Sequence, residues 1–154
     1  MPIKRLAIAI LAATLSLAAI AVAQGEVVVN PAISTMTNDQ LVEMRQAHMK
    51  ENGGILRGAA QLTGADAVAA ATTLLQNFTD FPALFKEGSI TDKSGAKPEI
   101  WTNWEDFKAR FDKDSAAAQA MLVAATAGDT AGYTAAIQEI GGSCGGCHQA
   151  YRGR

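Results

Sequence analysis

The chain has 154 residues, with 13 Lys and Arg against 15 Asp and Glu, two histidines and two cysteines. A formal charge of −2 and no run of Lys or Arg exclude a nucleic-acid binder, which must neutralise a phosphate backbone. Two cysteines with only two residues between them cannot staple a fold, because the entropic gain of a disulfide rises with loop length. Cys144 and Cys147 are therefore there for chemistry.

Residues 1–23 read as a removable export signal: Lys4 and Arg5 give a positive start, Leu6 to Ile20 is an uncharged apolar run, and Ala21-Val22-Ala23 is an A-x-A cleavage site. The apolar run is shorter than the roughly 20 residues a membrane span needs. Cleavage after Ala23 removes two positive charges and no negative ones, so the charge moves to −4 and 131 residues remain. That length makes one domain, residues 24–154, able to bury a core without covalent help.

Residues 24–36, with Asn30-Pro31 and no periodic pattern, read as an exposed lead-in. Thr37 and Gln40 fit a capping box. Leu41, Met44, His48, Ile55 and Leu62 follow at helical spacing, and Gly64 is placed to end this first helix. A second helix is expected from Asp66 to about Asn77, with Val68, Ala71, Leu74, Leu75 and Phe78 facing inward and Pro82 stopping any continuation. Residues 82–97 read as a long connection anchored at its start by Phe81, Leu84 and Phe85. Pro98 suits the first turn of a third helix, opened by Ile100, Trp101, Trp104, Phe107, Ala109 and Phe111, finished by Ala-rich residues 116–127 and stopped at Gly128. Asp129 caps a fourth helix running through Tyr133, Ile137, Ile140 and the cysteines to about Tyr151. Four helical segments and no strand-like alternation predict an antiparallel four-helix bundle.

The informative segment is Cys144-Gly145-Gly146-Cys147-His148, the C-x-x-C-H attachment pattern for c-type haem. On a helix, positions 144, 147 and 148 fall within about 100° of one another, so both thiols and the imidazole look the same way. The thiols can add to the two vinyl groups of one porphyrin edge while the imidazole reaches the iron. Zinc would want four ligands, and beyond these three the other histidine is His48. A thiol-disulfide oxidoreductase would place its pair at the start of a helix, where the dipole lowers a thiol pKa; here the pair lies near the end of an all-helical chain.

From Ile140 to Arg152 the sequence resembles the haem segment of class II c-type cytochromes, the group of cytochrome c′ and cytochrome c556. Ile100-Trp101 and the helix after it are similar to that family's third helix. Arg45-Gln46 and Met49-Lys50-Glu51-Asn52-Gly53-Gly54 are similar to its first. Residues 65–97 match it only loosely. Class I cytochromes put the motif near the N-terminus, which separates the two. The resemblance implies a periplasmic bundle with one haem c attached through Cys144 and Cys147 and His148 as proximal axial ligand. It places Met49 over the distal face. A ligating Met49 gives a six-coordinate, low-spin electron carrier, and the Met-Lys-x-Asn-Gly context looks more like those members. A Met49 that does not ligate gives a five-coordinate cytochrome c′ that takes small gases such as NO or CO. A homodimer through the first helix follows from the same resemblance, and an electron carrier implies redox partner proteins that the sequence does not identify. Nothing in the sequence marks a substrate pocket or an acid-base pair, so no enzymatic activity is expected.

His48 is rotated about 100° from Met49 and reads as an interface or surface histidine. Arg45, one turn before Met49, is a candidate contact for a haem propionate, the alternative being a solvated charge beside Glu43. Arg152 is a candidate for the proximal pocket or a frayed terminal charge. Gly53-Gly54 and Gly141-Gly142 interrupt helices at up to about 1 kcal/mol each, which points to room for a porphyrin or to a close helix crossing. Trp101, Trp104 and Phe107 read as core and pocket wall rather than an electron relay.

Overall fold

The computed structural model describes residues 27–153; the expected export signal and its cleavage site lie outside them. Four long helices, α1 (Asn38–Gly58), α2 (Gly64–Leu84), α4 (Trp104–Ala127) and α5 (Thr130–Tyr151), are joined by a one-turn helix α3 (Glu99–Thr102) and by loops. The fold is a four-helix bundle in which α1 packs on α2, α2 on α4 and α4 on α5. Its core is apolar, from Leu41 on α1 through Leu74, Phe78 and Phe81 on α2 and Phe107, Phe111 and Met121 on α4 to Tyr133 and Ile140 on α5. Phe81 stacks on Phe111 with ring centroids 4.7 Å apart, the offset geometry aromatic pairs prefer.

The helix termini follow their local chemistry. Thr37 accepts from the Gln40 amide while the Gln40 side chain accepts from the Thr37 amide, satisfying two donors that the first turn of α1 would otherwise leave orphaned. Gly128 ends α4 at φ +69°, and Asp129 caps α5 by accepting from Gly132.

Four expectations are corrected. Helix α1 ends at Gly58, where a 3-10 turn (Ala59–Gln61) tightens its last carbonyls. Gly64 does adopt a left-handed φ of +54°, but it opens α2 instead of closing α1. Pro82 lies inside α2, which runs to Leu84. The full burial of Phe81 and Leu84 offsets the hydrogen bond that proline cannot make in this last turn. The third helix is split at Asn103 (φ −119°, ψ 40°), with Pro98 capping the short piece rather than sitting in its first turn. The lead-in is not merely exposed: Pro31–Thr35 forms a 3-10 turn that buries Ile33, and the Asn30 amide donates to Asp80.

Candidate functional site

A cavity of about 700 Å³ opens between α1 and α5, within the size range of cofactor sites. Helix α1 contributes Val42, Arg45, Met49 and Lys50, and α4 closes the back with Phe107 and Phe111. Helix α5 contributes Cys147, His148 and Tyr151, followed by Arg152. Residues 93–96 of the long connection complete the wall.

The C-x-x-C-H run lies on the last two turns of α5, and Cys147 and His148 face the cavity. Cys144, one turn earlier, is exposed and lies outside the lining residues; its Sγ contacts the Ile140 carbonyl at 3.4 Å. Both thiols are free. Burial pushes both up from the ordinary thiol value; Arg110 opposes this at Cys147, and Asp114 adds to it at Cys144. A redox dithiol needs the opposite, a thiolate favoured at a helix start. Burial, then the charge of Arg152, holds the His148 imidazole below its usual value, which leaves it neutral and able to offer a lone pair to a metal ion at neutral pH.

Met49 lies across the cavity from His148, half-buried against the apolar core. His48, its neighbour, turns away into the α1–α2 seam. Its ring packs edge-on against Phe81, and its Nε2 lies 3.8 Å from Asp80 with the side chain only 16% exposed. The expected surface or interface histidine is thus an internal one. Burial lowers its pKa against the opposing pull of Asp80 and Glu51.

Arg45 is not a solvated charge: it is 5% exposed, with its guanidinium 4.4 Å over the Phe85 ring. One terminal nitrogen donates to the Ser89 carbonyl at 2.6 Å and the other to the Ser89 hydroxyl at 3.4 Å, and burial takes its pKa to about 10. Arg152 is not frayed: its amide donates to the His148 carbonyl, and it pairs with Ala96 in a short antiparallel bridge.

The glycine pairs do not mark a close helix crossing. A Cβ at Gly141 or Gly142 would meet no atom within 4 Å, and at Gly53 or Gly54 it would meet only Arg57. Gly141 precedes His148 by two turns and shares its face, which leaves that stretch of α5 bare. Of the three aromatics, Phe107 alone walls the cavity. Trp101 and Trp104 line a smaller groove with Pro82 and Lys86 on another side of Phe85.

Sequence reasoning missed Ser94, Gly95 and Ala96 as lining residues and Tyr151 as the centre of a polar cluster at the rim. The Tyr151 hydroxyl donates to Asp106, which also pairs with Arg110 at 2.8 Å. The one signal for the loop was its length, since connections beyond about 12 residues are usually functional.

The lining fits a flat apolar disc with an acidic edge. Its walls are Val42, Met49, Phe85, Ile100, Phe107 and Phe111; Arg45, Lys50, Lys93 and Arg152 are cationic, and no carboxylate side chain among the described residues lines it. Among the described residues no three His, Cys, Asp or Glu gather as a metal cluster of their own.

Comparison with known proteins gives the family. The family described as cytochrome C′ matches residues 35–152. Cytochrome c-556 of Agrobacterium tumefaciens (strain II Chrys) is 43% identical over 118 residues, 72% of this chain and 95% of that protein. Cytochrome c′ from Thermochromatium tepidum superimposes with a TM-score of 0.68 at 26% identity, covering 77% of this chain and 98% of that one. The nitric oxide complex of a mutant cytochrome c prime from Alcaligenes xylosoxidans gives 0.67 at 25% identity, with 77% and 98% covered. The chain therefore belongs to the class II c-type cytochromes, the cytochrome c′ family, whose members carry covalently bound haem c.

Proposed function

We propose that this protein is a periplasmic one-electron carrier of the c-556 kind, holding one haem c through Cys144 and Cys147 with His148 and Met49 as axial ligands. The haem, when bound, supplies a one-electron Fe(III)/Fe(II) couple. The chain's own residues do the rest. His148 presents a neutral imidazole from α5, and Met49 presents a thioether from α1 across the same cavity. A neutral thioether favours the reduced ion and raises the potential. Phe107, Phe111 and Ile100 exclude water behind the disc. Lys50, Lys93, Arg152 and the N–H groups of Arg45 not used on Ser89 suit the propionates. Export to the periplasm and pairing through α1 belong to the same reading; no helix among the described residues is long and apolar enough to cross a membrane.

The observation that carries this reading is the placement of Met49 and His148 on facing helices of one cavity. It is tested by Met49→Ala. The holoprotein, whose mass exceeds the chain by one covalently held haem, should bind CO slowly or not at all, and Met49→Ala should bind it readily. Fast CO binding by the unmodified protein would support the second reading, a five-coordinate gas binder, which the nitric oxide complex of a relative of the same fold favours.

A further inference from the structure

Helices α1 and α5, which face the cavity, pack on α2 and α4 rather than on each other. Among the described residues, links between them lie at both ends of the cavity. At the α1 C-terminal end the Ala59–Gln61 turn touches α5. At the other end the link is the segment 85–98, which crosses from one helix to the other and supplies Ser94, Gly95 and Ala96 to the cavity wall.

This segment has no regular structure beyond isolated turns and one bridge, yet it is bonded along both edges. On the α1 side Arg45 clasps Ser89 through two donors while stacking on Phe85. Gln46 donates to the Lys93 carbonyl at 2.8 Å, Asn38 donates to the Gly88 carbonyl at 3.2 Å, and Lys93 pairs with Glu43 and Asp39. On the α5 side the Lys97 amide donates to the Tyr151 carbonyl and the Gly153 amide to the Gly95 carbonyl at 2.7 Å. The Lys97 ammonium caps the last turn of α5 by donating to the Gln149 and Ala150 carbonyls at 3.0 and 3.1 Å. That last turn carries His148; Arg45 lies one turn from Met49 on α1.

We propose that segment 85–98 is a strap that fixes the separation of α1 and α5, with Arg45 and Lys97 as its anchoring residues, and so sets how closely the Met49 sulfur approaches the iron. The proposal rests on the His148/Met49 reading. Its reason is geometric: a thioether on one helix and an imidazole on another share an iron only if the helices are held at one spacing, and a change of a fraction of an ångström moves the equilibrium between a bonded and an open sixth site. Arg45 is suited to the role because its charge is buried, and hydrogen bonds from a charged group are the stronger kind. Lys97 is the informative partner because it lies outside the cavity lining and reaches the site through its bonds to the last turn of α5.

The test uses the holoprotein with Arg45→Met and, separately, Lys97→Met, each keeping the aliphatic stem. Both should raise the high-spin fraction of the ferric protein and speed CO uptake by the ferrous protein about tenfold or more, the scale of one lost charge-assisted hydrogen bond. A Lys97→Met protein with the unmodified spectrum and CO rate, beside an altered Arg45→Met, would overturn the strap and leave Arg45 as a haem contact alone. If the unmodified protein is itself high-spin, the ligation reading falls, and the strap is still judged by whether both variants accelerate CO uptake. Should a variant fold poorly, amide exchange on the unmodified holoprotein decides: Lys97 and Gly153 should exchange slowly and together, and exchange at open-chain rates would overturn the proposal.

Discussion

At the scale of single residues the site is governed by what burial does to charge. Asp114 on α4 is 7% exposed, its Oδ1 has no hydrogen-bond partner, and burial raises its pKa from 3.8 despite an opposing bond from Ser143. A carboxyl whose folded pKa lies above its unfolded value contributes most below the unfolded value and loses that contribution as pH rises through the folded one. Asp114 therefore weakens the fold at neutral pH and ceases to do so as pH falls toward 3.8. Asp114→Asn should melt higher than the unmodified protein at pH 7, by about 1 kcal/mol, with the gap closing on acidification. Thermal unfolding between pH 4 and 8 checks this, and a variant less stable at pH 7 would show that the carboxylate is productively paired. Burial likewise leaves the His148 imidazole neutral, the form suited to ligating a metal.

At the scale of elements, glycines with and without a conformational task should respond oppositely to alanine. Gly128 holds φ +69° at the end of α4, so Gly128→Ala should lower stability by about 1 kcal/mol. Gly142 is helical and exposed and meets nothing that a Cβ would strike. It also points about 120° away from His148. Gly142→Ala should raise stability by up to about 1 kcal/mol with no change in the haem spectrum. Denaturant unfolding of the two variants measures both signs, and a spectral change at Gly142→Ala would place that residue against the porphyrin.

Helix caps and attachment motif were legible because their chemistry is local: Thr37 with Gln40, Gly128 with Asp129, and Cys144 to His148 each occupy one turn. What escaped depends on distant partners. Pro82 reads as a terminator until the burial of Phe81 and Leu84 is known. Arg45 reads as either a propionate contact or a solvated charge until Phe85 and Ser89, the latter 44 residues away in sequence, enclose it. His48 reads as an interface or surface histidine until α2 brings Phe81 and Asp80 against it. The strap has no period to betray it, because its hydrogen bonds run to α1 and α5 rather than within itself.

At the scale of the molecule, the bundle is two packed layers opened on one side by a cavity, so its stability and its cofactor are linked. A disc bound there covers Met49 and Phe85, which are only half-buried without it, and each Å² of apolar surface left wet forfeits about 25 cal/mol. The Cys144→Ala, Cys147→Ala protein should therefore unfold at lower temperature and less cooperatively than the holoprotein by calorimetry. An equal melting temperature would show that the haem is no part of the core.

The central claim is that α1 and α5 together supply both axial ligands, and the ferric spin state of the unmodified holoprotein at neutral pH tests it most directly. With His148 and Met49 both bonded, absorption and electron paramagnetic resonance spectra should be low-spin, with a weak sulfur-to-iron charge-transfer band in the far red that disappears in Met49→Ala. A high-spin ferric spectrum without that band would contradict the claim and assign the protein to the five-coordinate, gas-binding side of its family.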